Sequence, residues 1–203
     1  MTRTYTAGMD EARFNEVISR FDAANREDPN LETFDGVEHP KELLYARRMS
    51  VWLEKLEPAA SEVLRLAARC QHIKRWSIPR GDYPMDKRGY MLWRTTLAKF
   101  HAETAGNIMR DVGYDDEMIN RVGSLLRKEK LKADPEVQLL EDVICMVFLE
   151  SYFADFATQH NEKKLIDIVH KTWKKMSPRG HEAALNLELS DELGAIVAKA
   201  LAG

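Results

Sequence analysis

The chain predicts an all-α fold. Apolar residues recur at helical spacing along most of its length, start and stop signals punctuate the recurrence, and no segment shows strand-like alternation. Phe14, Val17, Ile18 and Phe21 stand at i, i+3, i+4, i+7 and mark a first amphipathic helix. Asp28-Pro29-Asn30 ends it, and a polar loop runs to about Val37. A second helix opens near His39-Pro40, since proline is tolerated in a first turn, and carries Leu43, Leu44 and Met49 to Leu53. Pro58 introduces a third helix, from about Ala59 to Trp76. Ser77 to Gly89 holds Pro79, Gly81, Pro84 and Gly89 among charges and reads as a loop.

A fourth helix runs from about Tyr90 to Val112, with Gly113 as its terminating glycine. Asp115 caps a fifth, to about Lys130. Asp134-Pro135 gives an N-cap and a first-turn proline to a sixth, which carries the most apolar stretch of the chain to about Phe156. From Glu162 come one helix to about Lys175, a Ser177-Pro178-Arg179-Gly180 turn and two short helices, the last opened by Ser190-Asp191-Glu192.

At 203 residues the chain is expected to form one domain with a core that needs no disulfide or metal staple. A net charge of -3 gives no global bias toward nucleic acid or an anionic membrane. Cys70 and Cys145 lie in apolar helical stretches, which fits buried, reduced thiols. No apolar run reaches the length of a membrane span, and Met1 to Thr6 lacks a signal-peptide core. The expectation is a cytoplasmic protein.

Polar residues on apolar faces are the candidates for chemistry. Asp142 has Gln138, Leu139, Cys145 and Met146 as helical neighbours, so its carboxylate should be buried, and a buried charge is costly unless paired or metal-bound. Glu141 lies beside it. His101 has Leu97, Ala98, Thr104 and Ala105 around it. His39 opens a helix next to Glu42, and His72 lies among Ala68, Arg69, Arg75 and Trp76. Histidines and a carboxylate from separate helices can hold a divalent metal in a bundle core. A lone histidine on an apolar face is more often a hydrogen-bonded core residue, and Asp142 could equally accept from helix N–H groups or an arginine.

The order of these residues resembles the HD superfamily of metal-dependent hydrolases. Glu38-His39-Pro40 through Met49 looks like the early histidine motif. Leu66-Ala67-Ala68-Arg69-Cys70-Gln71-His72-Ile73 looks like the segment ending in the family's His-Asp doublet, and Leu140-Glu141-Asp142-Val143 like its late aspartate helix. His101 stands where an additional histidine often comes. The match covers about 37–150 as an HD-like core, with helices of 162–203 packed on it. The resemblance implies a helical domain, a phosphoester hydrolase and metal ligands His39, His72 and Asp142, with His101 and Glu141 handling protons.

Gln71-His72 replaces the doublet, and Leu126-Arg127-Lys128 stands where two-metal members carry a further histidine. The implied cofactor is therefore one divalent ion (Mn, Fe, Zn or Ni) or none. The whole chain also resembles a bacterial family of unknown function, marked by Gln-His-Ile-x-Arg-Trp at 71–76, Pro-Arg-x-x-Tyr-Pro at 79–84 and Gly-Tyr-x-x-Trp-Arg at 89–94.

Between two candidate motifs lies a segment rich in cations and aromatics. Lys74, Arg75, Arg80, Arg88 and Arg94 could hold phosphate oxygens. Tyr83, with Trp76, Tyr90 and Trp93, could pack on a base or an apolar group. The natural ligand class is a small anion, such as a nucleotide-like one, in a pocket gated by this loop. Alternatively the arginines pair with acidic helices and the aromatics plug the core. Three functions follow in order of weight. The first is a metal-dependent hydrolase of a phosphorylated or anionic small molecule. The second is a metal-free binding or regulatory protein on a degenerate HD scaffold. The third is a non-haem iron oxygenase.

Overall fold

The computed structural model describes residues 10–202; the reading of Met1 to Thr6 lies outside them. The fold is all-α apart from one small hairpin. The helices are α1 (Glu11–Arg26), α2 (Lys41–Leu56), α3 (Glu62–Arg69), α4 (Lys87–Asp111), α5 (Asp116–Leu126), α6 (Pro135–Ser151), α7 (Phe153–Thr158), α8 (Glu162–Lys175), α9 (Pro178–Leu185) and α10 (Asp191–Ala202). Side chains cap the helices: Asp115 and Asp134, as expected, and also Asp10, Ser61, Asp86, Asn161 and Ser177 each accept from an N–H in the turn that follows.

The hairpin departs from the sequence expectation. Leu31–Phe34 (β1) pairs antiparallel with Val37–Pro40 (β2) across Asp35-Gly36. Both turn residues have positive φ, 51° and 76°, the requirement of a tight two-residue hairpin turn and the reason Asp-Gly suits it. Three further expectations change. The third helix stops at Arg69, and a left-handed Lys74 and two 3-10 turns, Arg75–Ser77 and Arg80–Asp82, carry the chain on. The sixth ends at Ser151, leaving α7 separate. The Ser177 to Gly180 turn is the capped, proline-led start of α9.

The chain divides into two compact units. One comprises the residues up to Ser50 with Ala60–Glu129, the other Val51–Ala59 with the residues from Lys130 onward. The first packs α1, α3, α4 and α5 around Val17, Phe21, Leu66, Ile73, Leu97, Met109 and Leu125. The Arg69 guanidinium donates to both oxygens of Asp22, at 2.7 and 2.6 Å, and ties α3 to α1. The second unit packs α6 with α7, α8 and α9, and α8 with α10, over Met146, Val147, Phe153, Leu165, Val169 and Ile196. Cys70 and Cys145 are free and buried. Among the described residues no helix is long and apolar enough to cross a membrane.

Candidate functional site

Four positions of the first unit build the site. Asp28 accepts from the backbone N–H of Glu42 at 2.9 Å, fixing the start of α2. This buries Glu42, and one turn later Tyr45, against the chain leaving α3. That chain presents Gln71, His72 and Arg75. On α4, Met91, Arg94, Ala98 and His101 recur at helical spacing and share a face. The end of α5 supplies Leu126, Arg127 and Lys128.

The residues from the chain leaving α3, from α4 and from the end of α5 line a cavity of about 310 Å³, with Glu42 and Tyr45 behind His72. Its cations are Arg75, Arg94, Lys99, Arg127 and Lys128, and no Asp or Glu is among its lining residues. Leu97, Ala98, Met91 and Leu126 give it an apolar wall. Arg75 lies over the Trp93 ring, 4.7 Å from its centroid, and 3.8 Å from Glu42. Arg94 contacts the Tyr90 hydroxyl at 3.3 Å.

Two histidines stand in its wall. His72 stacks on Tyr45, with centroids 4.1 Å apart, and is 5.9 Å from the His101 ring. Its Nδ1 lies 3.3 Å from Glu42 and its Nε2 3.4 Å from Arg75. A neutral ring donating from Nδ1 to Glu42 and accepting at Nε2 from Arg75 satisfies both contacts. His101 Nδ1 lies 2.8 Å from the carbonyl oxygen of Ile73 and must donate to it. That fixes Nε2 as a buried lone pair, and it has no hydrogen-bond partner. The buried amide oxygen of Gln71 also lacks one.

The electrostatics are those of a dry, positive cavity. Burial drives His72 well below the ordinary histidine range, with Arg75, His101 and Arg94 adding to the effect. Burial pushes His101 down to about 3, against the help of the Ile73 carbonyl and with Arg75 and Arg94 lowering it further. Glu42 rises to about 7 because burial outweighs its attraction to Arg75. Arg75 itself is lowered, by burial first, with Arg94 acting in the same direction.

The residues implied as metal ligands are divided between the units, His39 and His72 in the first and Asp142 in the second. His39 lies on β2 opposite Glu32, half-buried, and not in a helix. Asp142 is 1 % exposed, as expected, but accepts from the Ser177 backbone N–H at 2.7 Å, the Ser177 hydroxyl at 2.5 Å and the Gln138 amide at 3.1 Å. It therefore docks the start of α9 on α6. Gly180 is required there, because a Cβ would come within 2.8 Å of the Asp142 oxygen. Glu141 is buried in the same unit, 3.7 Å from Lys175. Among the described residues no three His, Cys, Asp or Glu side chains gather so as to hold an ion.

Of the expected anion ligands, Arg75 and Arg94 reach the cavity and the others do not. Lys74 pairs with Glu27 at 2.8 Å. Arg80 donates to the carbonyls of Tyr83, Pro84 and Asp86, at 3.0, 2.7 and 3.4 Å, and so staples its own loop. Trp93 Nε1 donates to Ile78 O at 2.9 Å, and the Pro84 carbonyl lies where a Cβ on Gly89 would be, 2.0 Å away. The segment is tied down as a brace instead of forming a gate. Tyr83 is half-buried and Arg88 exposed, both outside the cavity lining.

Sequence reasoning missed Glu42, Tyr45, Lys99, Arg127 and Lys128. The helical spacing from Arg94 to His101 was a usable signal for the α4 face. Lys128 carried none, since its place depends on how α5 ends.

Residues 15–197 match the model of a family described as Domain of unknown function (DUF4202). No curated protein and no solved structure matches the chain. The motifs at 71–76 and 89–94 supply the cavity with His72, Arg75 and Arg94, and the family match spans them and both units: the chain belongs to the DUF4202 family.

Proposed function

We propose that this protein binds a phosphorylated or otherwise anionic small molecule in the cavity of its first unit. One observation carries the reading: Arg75, Arg94, Lys99, Arg127 and Lys128 converge on one concave space that no carboxylate lines. Arg127 also pairs with Glu129 at 2.7 Å and Arg75 lies 3.8 Å from Glu42, while Arg94 meets the Tyr90 hydroxyl; like charges gathered on one concave surface favour an anion there. Burial is the first cause of the lowered pKa values of His72, His101 and Arg75, and Arg94 adds to each of them. This supports the binding or regulatory reading without a metal. The test is calorimetric titration and thermal shift with inorganic phosphate, sugar phosphates, nucleoside monophosphates and carboxylates. Saturable binding of a phosphorylated member that weakens in Arg94→Ala supports the reading.

A second reading retains the hydrolase that the HD resemblance implies. His101 favours it, because a lone pair of fixed tautomer beside a phosphate site is where a base would take a proton from water. A bound phosphate would raise the pKa of His101 toward a useful range. Release of inorganic phosphate from the ligands that bind, assayed with and without Mn, Fe, Zn and Ni, separates the two readings.

A further inference from the structure

A second cavity adjoins the first within the same unit. It lies between α4 and α5, has a volume of about 450 Å³, and shares Lys99 and Arg127 with the first. The buried Ala102, Gly106, Ile119 and Gly123 line its depth. Small residues let the two helices approach and leave the space above them open. A Cβ on Gly106 would come within 3.1 Å of Ile119, and one on Gly123 within 2.8 Å of the Arg127 guanidinium. Arg127 therefore packs over Gly123, at the junction of the two cavities. Beyond it, Glu103, Arg110 and Asn120 belong to the second lining and are exposed, so a ligand can reach them.

Charge is spread along the pair. Arg75, Arg94 and Lys128 belong to the first cavity alone and Arg110 to the second alone, with Lys99 and Arg127 in both. Arg94 and Arg110 are sixteen residues apart on α4, about 24 Å along its axis. One small anion cannot meet both. Arg110 lies 3.5 Å from Asp116 and 3.3 Å from the Asn107 amide oxygen. Arg110 and Asp116 are both more than half exposed, so their pairing contributes little and yields to a phosphate. Glu103, on α4 between Lys99 and Arg110, disfavours a chain charged along its whole length. No Phe, Tyr or Trp is among the residues of either lining, so no platform is offered for a nucleobase. We infer that the ligand is an elongated small molecule with an anionic group at each end and a neutral link, one anion meeting Arg94 and its neighbouring cations and the other Arg110. This rests on the anion-binding reading above and gives it a ligand class.

The experiment compares three probes by calorimetry at pH 8, where a phosphomonoester has lost its second proton. Tetraethylene glycol monophosphate has the link and one anion. Ethylene glycol bisphosphate has two anions close together, and tetraethylene glycol bisphosphate has two far apart. The last should bind the wild type roughly ten- to a hundred-fold more tightly than either of the others, because its second contact is made by a molecule already held. In Arg110→Gln its affinity should fall to that of the monophosphate, which itself binds as before. Asn120→Asp, which puts a carboxylate into the second cavity from α5, should act in the same way. A ¹⁵N spectrum of the wild-type protein gives a readout that needs no variant. The Asn120 side-chain amide resonance should move on adding the long bisphosphate and stay on adding the monophosphate. Comparable affinities for the long bisphosphate and the monophosphate, an advantage that survives in both variants, or an unmoved Asn120 resonance at saturation overturns the inference while leaving anion binding intact. No binding of any of the three overturns both.

Discussion

His101 Nδ1 lies 2.8 Å from the carbonyl oxygen of Ile73, and this one contact sets the chemistry of the cavity. Ile73 is fully buried on the chain leaving α3, so the acceptor cannot move. The ring is thereby held as the tautomer whose free nitrogen is Nε2.

That contact yields a pH prediction. The folded pKa of His101 is depressed to about 3 from 6.5. The unfolded chain then binds a proton the folded one refuses. The contribution is fully present above pH 6.5 and is lost as pH falls toward 3. The depression corresponds to roughly 5 kcal/mol at its largest. Urea denaturation of the wild type and His101→Phe between pH 3 and 8 should show the wild type alone losing this contribution on acidification. Parallel curves would refute the assignment.

Glu42 has the opposite sign. Its folded pKa of about 7 lies above the ordinary 4.5, so the folded state holds a proton the unfolded chain releases. Stability falls as pH rises from about 4.5 to 7. Glu42→Gln, which mimics the protonated acid, should gain on the wild type over that window by about 3 kcal/mol. A pH-independent difference between the two proteins would show that folding does not raise the pKa of Glu42.

Asp142 is predicted to hold structure. Asp142→Ala strips the partner from the Ser177 N–H and hydroxyl and should cost about 2–3 kcal/mol. Binding of anions by the folded protein should be unchanged, as titration below the melting temperature would show. A variant of native stability that lost ligand binding would return Asp142 to the site.

Much of the fold was legible because caps and periodicity are local. Asp115 and Asp134-Pro135 act within one turn, and α5 and α6 begin where they indicate. The hairpin was legible too, in Asp35-Gly36, but its strands are four residues each and expose Leu31, Phe34 and Val37, so no alternation announces them. The site was half legible. Gln71-His72, His101 and the neighbouring arginines were singled out, while the helical spacing that puts Arg94 on the His101 face went unused. The partner of Asp142 was not, because Ser177 lies 35 residues away on an element that read as a turn. Arg80 misled for a related reason: a guanidinium satisfied by its own loop has the same sequence appearance as one awaiting a phosphate.

Lys128 should show a trade between stability and binding. It follows the Arg127 cap of α5 in a left-handed conformation, φ 56°, where glycine is the unstrained choice. Its N–H bonds to Leu125 and that of Glu129 to Ser124, the pattern of a glycine-terminated helix. Lys128→Gly should stabilise the fold by up to about 1 kcal/mol while weakening anion binding several-fold. Thermal melts and titrations on one preparation would measure both, and a stabilised variant with unchanged affinity would remove Lys128 from the site.

The measurement closest to the central claim is calorimetric titration of the wild type and Arg94→Ala with a set of phosphomonoesters at two salt concentrations. At least one should bind the wild type in a single saturable site. Its affinity should fall with salt and by ten- to a hundred-fold in Arg94→Ala, at unchanged melting temperature without ligand. Binding by none of them, or binding indifferent to Arg94, would contradict the assignment of this cavity as an anion site.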